Sequence, residues 1–155
     1  MKVLSISIAA YNVAYTLKEC LDPFLKSNVL GELDIMVVDD GSSDNTAEIA
    51  EEYHALYPDT FRLIKKENGG WGSTVNTGIK EAKGMYFKQF DGDDYYEPEA
   101  LNKFIEYLKT NPSDLVIAPY ITYDSDSGKV ITTEDCNPGC KLLKADIKAI
   151  QKGQE

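Results

Sequence analysis

The hydrophobic residues follow two alternating patterns along the chain. Short apolar or alternating segments, typical of strands, are separated by segments with apolar residues at helical spacing, such as Leu17, Leu21 and Phe24. The predicted strands are residues 2–9, 33–38, 61–65, 85–90 and 115–120. The predicted helices are residues 14–27, a segment from the capping residues 43–46 to about 57, and residues 72–83 and 97–110.

This alternation predicts an α/β fold with a mainly parallel sheet and flanking helices. We expect residues 1–120 to form one compact core. Residues 121–123 and 130–132 flank a turn-rich segment and predict a C-terminal β-hairpin within a second region, 121–155. Residues 141–155 predict a weak helix without a firm end, so we expect the chain to belong to a larger protein.

The 155-residue chain has a formal net charge of −10, which argues against binding to a nucleic-acid backbone or to anionic lipid. Its apolar runs are too short to span a bilayer, and its start lacks the pattern of a signal peptide. We therefore expect a cytoplasmic location, with any membrane attachment made through regions outside this chain. An acidic chain that binds a nucleotide needs a local positive charge, which a divalent cation held by carboxylates can supply.

Cysteine and histidine offer little catalytic chemistry. Cys136 and Cys140 have C-x3-C spacing, but no second pair and no nearby histidine completes a zinc site, which favours ordinary thiols. The single histidine, His54, lies in a polar stretch and is predicted to be solvated on a helix surface. A Ser-His-Asp or Cys-His triad therefore lacks an evident base, and acid–base chemistry would fall to carboxylates.

Polar or aromatic residues follow each of the first four predicted strands. The carboxyl ends of parallel strands share one edge of the sheet, and ligands bind there. The four segments are Ala10-Tyr11-Asn12, Asp39-Asp40-Gly41-Ser42-Ser43-Asp44, Lys66-Glu67-Asn68-Gly69-Gly70 and Asp91-Gly92-Asp93-Asp94. Because the four loops agree, the sequence predicts a binding site at this edge.

Asp91, Asp93 and Asp94 place three carboxylates within four residues. Such a group repels itself unless a cation lies between its members. Mg2+ or Mn2+ suits one or two carboxylates together with phosphate oxygens, and would stabilise a diphosphate leaving group. The alternative is a solvated acidic turn.

The other loops each allow two interpretations. Asp39 and Asp40 can bind a base N–H and shape a loop, or serve only as turn and cap residues. Tyr11 can stack on a planar base or pack inside the protein. The glycines at 69, 70 and 72 permit close approach of the backbone to an anion at a helix N-terminus, or form a flexible loop in which Trp71 is a packing anchor.

Taken together, these segments resemble the family 2 glycosyltransferases, which have the GT-A (Rossmann-like) fold. The resemblance covers roughly residues 3–120 and rests on four motifs in the family's order and spacing. The motifs are Ser5-Ile6-Ser7-Ile8-Ala9-Ala10-Tyr11-Asn12, Val37-Val38-Asp39-Asp40-Gly41-Ser42-Ser43-Asp44-Asn45-Thr46, Asn68-Gly69-Gly70 with Asn76-Thr77-Gly78, and Phe90-Asp91-Gly92-Asp93-Asp94.

The resemblance assigns roles to individual residues. It implies that Tyr11 lies against the nucleobase and that Asp40 binds the base edge, usually uracil. Asp91 would approach the ribose and diphosphate, and Asp93 would coordinate Mg2+ or Mn2+ with Asp91 as the second ligand. The implied nucleotide-sugar site comprises Ala9, Tyr11, Asn12, Asp40, Asn68, Gly70, Asp91, Gly92 and Asp93.

The resemblance also implies a reaction: metal-dependent transfer of a sugar from a nucleotide-diphosphate donor, with UDP-sugar favoured, to a hydroxyl of a saccharide or lipid-linked acceptor, with inversion. Inversion needs a base, which in this family is an Asp or Glu well downstream of the acidic run. Glu134 and Asp135 come early for that role, so we expect the base to lie beyond residue 155. The alternative is a nucleotide-sugar-binding or regulatory module without transfer activity.

Overall fold

The computed structural model of the chain describes residues 1–116, 118, 120–123, 127 and 129–134. The strands are β1 (Leu4–Ala10), β2 (Leu33–Asp39), β3 (Phe61–Lys65), β4 (Tyr86–Asp91), β5 (Tyr120–Tyr123) and β6 (Val130–Glu134). The helices are α1 (Ala14–Leu25), α2 (Thr46–Leu56), α3 (Trp71–Glu81) and α4 (Pro98–Thr110), with a 3-10 turn at Leu30–Glu32. The predicted alternation of strands and helices is confirmed through α4.

Strands β1 to β4 form one parallel sheet in the order β3-β2-β1-β4. This confirms the predicted α/β class with a mainly parallel sheet and flanking helices. Every residue of β2 is buried, as its continuous apolar run indicated, whereas the edge strands β3 and β4 are mostly half-buried. Helix α2 packs on β2 and β3, and α3 packs on β1, β2 and β4.

Helix α3 approaches the central strand closely because Gly78 has no side chain. A Cβ atom at Gly78 would lie 2.5 Å from Cβ of Ser7 in β1, and closer still to the Ser7 hydroxyl. Thr74, one turn earlier, is also buried. Small residues on this face of α3 therefore set its distance from the sheet, and with it the position of its first residue, Trp71.

A buried polar cluster joins the strands near their amino ends. Asp34 of β2 accepts hydrogen bonds from Ser5 Oγ (2.6 Å), from Arg62 Nε (2.8 Å) and from the backbone N–H of Lys83 (3.0 Å). Burial alone would raise the pKa of the Asp34 carboxyl, but these hydrogen bonds and the Arg62 charge outweigh it and hold that pKa below its usual range. Because the three partners come from β1, β3 and the loop between α3 and β4, one carboxylate of β2 connects three strands with the loop that leads into the fourth.

The chain divides into two compact units, Met1–Pro112 and Ser113–Glu155. In the second unit, β5 pairs antiparallel with β6. The strand predicted at 115–120 is wrong for the residues described there: Leu115, Val116 and Ala118 lie outside any strand, and β5 begins at Tyr120. Pro119, which lacks a backbone N–H, favours such a late start. The domain boundary predicted at residue 120 stays a prediction.

Several other sequence predictions concern single residues. His54 lies in α2, as predicted, but it is half-buried, and its Nδ1 lies 2.7 Å from the carbonyl oxygen of Phe61. Asp135, the C-x3-C cysteines and the helix predicted at 141–155 lie outside the described residues, as does the side chain of Glu134. Within the described part of the chain, none of the helices has the length and apolar character that a membrane span requires.

Replacing Gly78 with Ala should lower the free energy of unfolding by about 1–3 kcal/mol, because the added methyl group forces α3 away from Ser7. Gly72→Ala in the same helix is the matched control. A Cβ there has nothing within 4 Å, so its stability should stay within about 0.5 kcal/mol of the parent. Urea denaturation of both variants is the measurement, and equal stabilities would contradict the close-packing argument.

Replacing Asp34 with Asn should cost about 3 kcal/mol of stability, because it leaves the Arg62 guanidinium largely buried without its counter-charge. The pKa of Asp34 is depressed on folding, so its contribution is present above the unfolded pKa of about 3.9 and is lost as the pH falls toward the folded pKa. The variant should therefore lose less stability than the parent on acidification through that window. Glu52→Gln, which breaks the exposed Lys18–Glu52 pair, should cost about 1 kcal/mol or less.

Candidate functional site

The carboxyl ends of the four parallel strands lie side by side. Ala10 of β1 pairs with Asp39 of β2, and Ala9 pairs with Asp91 of β4. Asp39 in turn pairs with Lys65 at the end of β3. The loops that follow these positions are therefore neighbours along one edge, and together with the strand ends they carry every residue predicted to bind a nucleotide-sugar.

The loops after β1 and β2 are held together through Asn12. Its side-chain oxygen accepts a hydrogen bond from the backbone N–H of Ser43 (2.8 Å), and its own N–H donates to Ser42 Oγ (3.0 Å). Asn12 has φ +53°, a left-handed conformation that asparagine tolerates better than most residues. Its carboxamide thus fixes the turn that leaves the preceding residue, Tyr11, 54% exposed at the edge of the sheet.

Asp39 shapes the turn after β2. Its Oδ1 accepts a hydrogen bond from the backbone N–H of Ser42 (2.9 Å), and the side chain is buried. Gly41 within this turn has φ +77°, which favours glycine. A Cβ on Gly41 would lie 3.2 Å from the backbone nitrogen of Asn68, so this turn and the loop after β3 are in close contact.

Asp40 anchors the glycine-rich loop after β3. Its carboxylate accepts hydrogen bonds from Lys66 Nζ and from the backbone N–H groups of Gly69 (3.0 Å) and Gly70 (2.8 Å). Burial alone would raise the pKa of Asp40, but these donors outweigh it and lower that pKa below its usual range. Asp40 is therefore a loop-shaping residue, and its contact with a base edge stays a prediction.

Trp71 is not the packing anchor that one interpretation of the loop suggested. The side chain is 60% exposed at the first position of α3, directly after Gly70, whose φ is +79°. Its indole Nε1–H donates a hydrogen bond of 2.8 Å to Asp91 Oδ1. The loop after β3 is thereby connected to the acidic run after β4.

The backbone of the acidic run, residues 91–94, is fixed by contacts of Gly92. Gly92 is buried, donates its N–H to the carbonyl of Ala9 (3.1 Å), and accepts a hydrogen bond from Thr16 Oγ1 (3.0 Å). A Cβ at Gly92 would lie 2.9 Å from Cγ2 of Val13, so glycine is required for this approach. The rings of Phe90 and Tyr96, which flank the run, stack at a centroid distance of 4.9 Å.

The three carboxylates of the run are exposed and mutually repulsive. Burial raises the pKa of the Asp94 carboxyl, and the charges of Asp93 and Asp91 raise it further. Among the described residues, no group of three or more His, Cys, Asp or Glu side chains is arranged as a metal cage. Exposed carboxylate oxygens under mutual repulsion nonetheless fit the open, oxygen-rich coordination of Mg2+ or Mn2+, which takes one or two carboxylates plus phosphate oxygens and water.

Two contributors to this edge were missed from the sequence. Lys66 directly follows β3 and pairs with Asp40. A lysine at a strand end in an acidic chain could have indicated this pairing. Thr16 lies in α1, and its contact with Gly92 depends on how α1 returns toward β4, which no local pattern reveals.

Comparisons with known proteins agree with this geometry. The chain matches the family described as "Glycosyl transferase family 2" over residues 5–147. It is 37% identical over 124 residues to "Uncharacterized glycosyltransferase EpsJ" of Bacillus subtilis, covering 80% of this chain and 36% of that protein. It is 39% identical over 108 residues to a chondroitin synthase of Pasteurella multocida, covering 69% of this chain and 11% of that protein.

Among solved structures, S. aureus TarS 1–349 in complex with UDP matches with a TM-score of 0.65 and 29% identity. The match covers 74% of this chain and 34% of that one. The chain spans about a third of the length of EpsJ and of TarS 1–349, and 11% of the length of the chondroitin synthase. The parallel sheet, its flanking helices and this likeness identify the GT-A fold, and the chain belongs to glycosyl transferase family 2.

Proposed function

We propose that this chain is the donor-binding part of a glycosyltransferase that transfers a sugar from a UDP-sugar to an acceptor hydroxyl. The observation that carries the proposal is the exposed acidic run at the end of β4, beside the end of β1, in a family 2 chain. A donor diphosphate needs positive charge in a chain of net charge −10, and a cation held by this run supplies it.

UDP is the preferred nucleotide of the proposal. TarS, which shares the fold at 29% identity, has been crystallised in complex with UDP and, in a separate structure, with UDP-GlcNAc. In this chain the exposed ring of Tyr11 offers a stacking surface for a planar base at the end of β1. The acceptor is proposed to be a saccharide or a lipid-linked saccharide, in line with the chondroitin synthase among the relatives.

The metal is proposed to be Mg2+ or Mn2+. Asp93 is the first candidate ligand because its carboxylate is exposed and the described residues offer it no hydrogen-bond donor. Asp91 is the second, through Oδ2, since Oδ1 accepts the Trp71 hydrogen bond. When bound, the ion would neutralise the diphosphate and favour its departure from the anomeric carbon.

Transfer with inversion is proposed to need a carboxylate base that the described residues do not identify. His54 is excluded as that base, because its ring contacts Phe61 at the start of β3, at the amino end of the sheet. The base and the acceptor surface are accordingly proposed to lie in the larger protein. A nucleotide-sugar-binding module without transfer activity is the alternative, and acceptor turnover separates the two.

Calorimetric titration with UDP should show binding that Mn2+ strengthens in the parent chain, because the ion would offset the repulsion between the diphosphate and the acidic run. GDP and dTDP should bind more weakly than UDP. Asp93→Asn should lose the Mn2+-dependent part of the affinity, because it removes the charge that holds the ion.

Asp59→Asn is the matched control, since it removes the same charge from an exposed position next to the amino end of β3. That variant should bind UDP with Mn2+ like the parent. If Asp93→Asn binds UDP and Mn2+ as tightly as the parent, the metal assignment is wrong. If the parent binds no nucleotide under any condition, the proposed function itself is wrong.

The isolated 155-residue chain should bind the donor without transferring the sugar, because the acceptor-side residues are proposed to lie elsewhere in the protein. The measurement is release of UDP from UDP-sugars with and without saccharide acceptors. Slow hydrolysis that no acceptor accelerates agrees with the proposal. Acceptor-dependent transfer by this chain would contradict it and would place the base within residues 1–155.

A further inference from the structure

Trp71, the only tryptophan of the chain, makes a contact that exposure alone would not predict. Its ring is 60% exposed, yet its one hydrogen-bond donor is committed to Asp91 Oδ1 at 2.8 Å. An exposed indole without a partner would donate to water at little cost, so the specific bond points to a function beyond packing.

The bond connects loops that the sheet topology separates. Strands β3 and β4 lie at opposite edges of the sheet, with β2 and β1 between them. Helix α3 begins after β3 and packs across β2, β1 and β4. Its first residue, Trp71, therefore lies within reach of the end of β4. Asp40 holds the backbone N–H of Gly70 at 2.8 Å, which fixes the residue directly before Trp71.

The hydrogen-bond donor that Asp91 receives is uncharged, which matters at this position. Asp91 lies in a cluster of like charges, in which burial and the charges of Asp93 and Asp91 act against ionisation of Asp94 and raise its pKa. A lysine or arginine could hold Asp91 against that repulsion, but it would also cancel charge that a divalent cation needs and would compete for the carboxylate. An indole N–H is a neutral donor, so it orients one carboxylate oxygen and leaves the full negative charge in place.

We propose that Trp71 is a positioning residue of the donor site, which fixes the carboxylate of Asp91 so that its second oxygen, Oδ2, is held ready for the cation and the donor. The inference rests on the proposed function and deepens it. The described residues make no hydrogen bond to Oδ2, which leaves that oxygen available. Asp40, Gly70, Trp71 and Asp91 then form one continuous path from the end of β2 to the acidic run.

Trp71→Phe keeps an aromatic ring and removes the N–H. It should weaken Mn2+-dependent UDP binding by about tenfold, the cost of one hydrogen bond to a charged group. UDP binding in EDTA and the thermal unfolding temperature should both stay at the parent values, because an exposed ring contributes little to packing. Since the chain has one tryptophan, biosynthetic replacement by 3-benzothienylalanine removes only this N–H and keeps the ring size; it should weaken binding as Phe does.

A double-mutant cycle distinguishes positioning from a general structural role. If Trp71 acts through Asp91, adding Trp71→Phe to Asp91→Ala should cause no further loss of Mn2+-dependent affinity. An independent readout is the single indole N–H resonance of the parent, which should shift in Asp91→Ala. An unmoved indole resonance, or Trp71→Phe binding UDP and Mn2+ like the parent, would overturn the inference while leaving the proposed function intact. A parent chain that binds no UDP would overturn both.

Discussion

The structure depends first on the parallel pairing of β1 with β2 on one side and β4 on the other. The register brings Ala9 beside Asp91 and Ala10 beside Asp39, so one central strand sets the spacing of the two acidic loops. That pairing is stable because β1 and β2 are buried on both faces, and its register is locked at the amino ends by the Asp34 cluster. A slip of one residue would break both the buried cluster and the alignment of the loops.

The carboxylates at the two ends of the sheet differ in how far their charge is compensated. At the amino ends, Asp34 is buried and its charge is met by Arg62 and by backbone N–H groups. At the carboxyl ends, Asp40 is matched in the same way by Lys66 and the glycine amides. The acidic run after β4 is exposed, and the hydrogen bond that Asp91 accepts there comes from the neutral indole of Trp71. At the carboxyl ends of the strands, the exposed acidic run therefore lies where the proposed cation and diphosphate would bind.

Sequence patterns predicted most of the fold because buried strands and helices each have a characteristic spacing of apolar residues. The continuous apolar run of β2 and the helical spacing in α1 led to the correct sheet class, and the glycines and aspartates correctly marked the strand ends. The placement of a strand at 115–120 failed because apolar content alone does not show where backbone pairing begins. The Trp71–Asp91 hydrogen bond could not be predicted, because it joins residues twenty positions apart, one after the edge strand β3 and one at the end of the other edge strand, β4. It also depends on how closely α3 approaches β1, which Gly78 permits.

Asp40 and the carboxylates of the acidic run have different roles, because the glycine-rich loop needs a carboxylate to hold its shape. Gly69 and Gly70 have no side chains that could hold the loop after β3 in shape, so a buried carboxylate that binds their amides does so. Asp40 performs this task, and the same hydrogen-bond donors lower the pKa of its carboxyl and so favour the ionised form. The negative charge of Asp40 is compensated by Lys66 and by backbone N–H groups. Asp91 instead accepts its hydrogen bond from a neutral indole, which leaves its charge uncompensated. The proposed site would need both kinds of carboxylate: one held by donors within the protein, and one left open to the proposed cation.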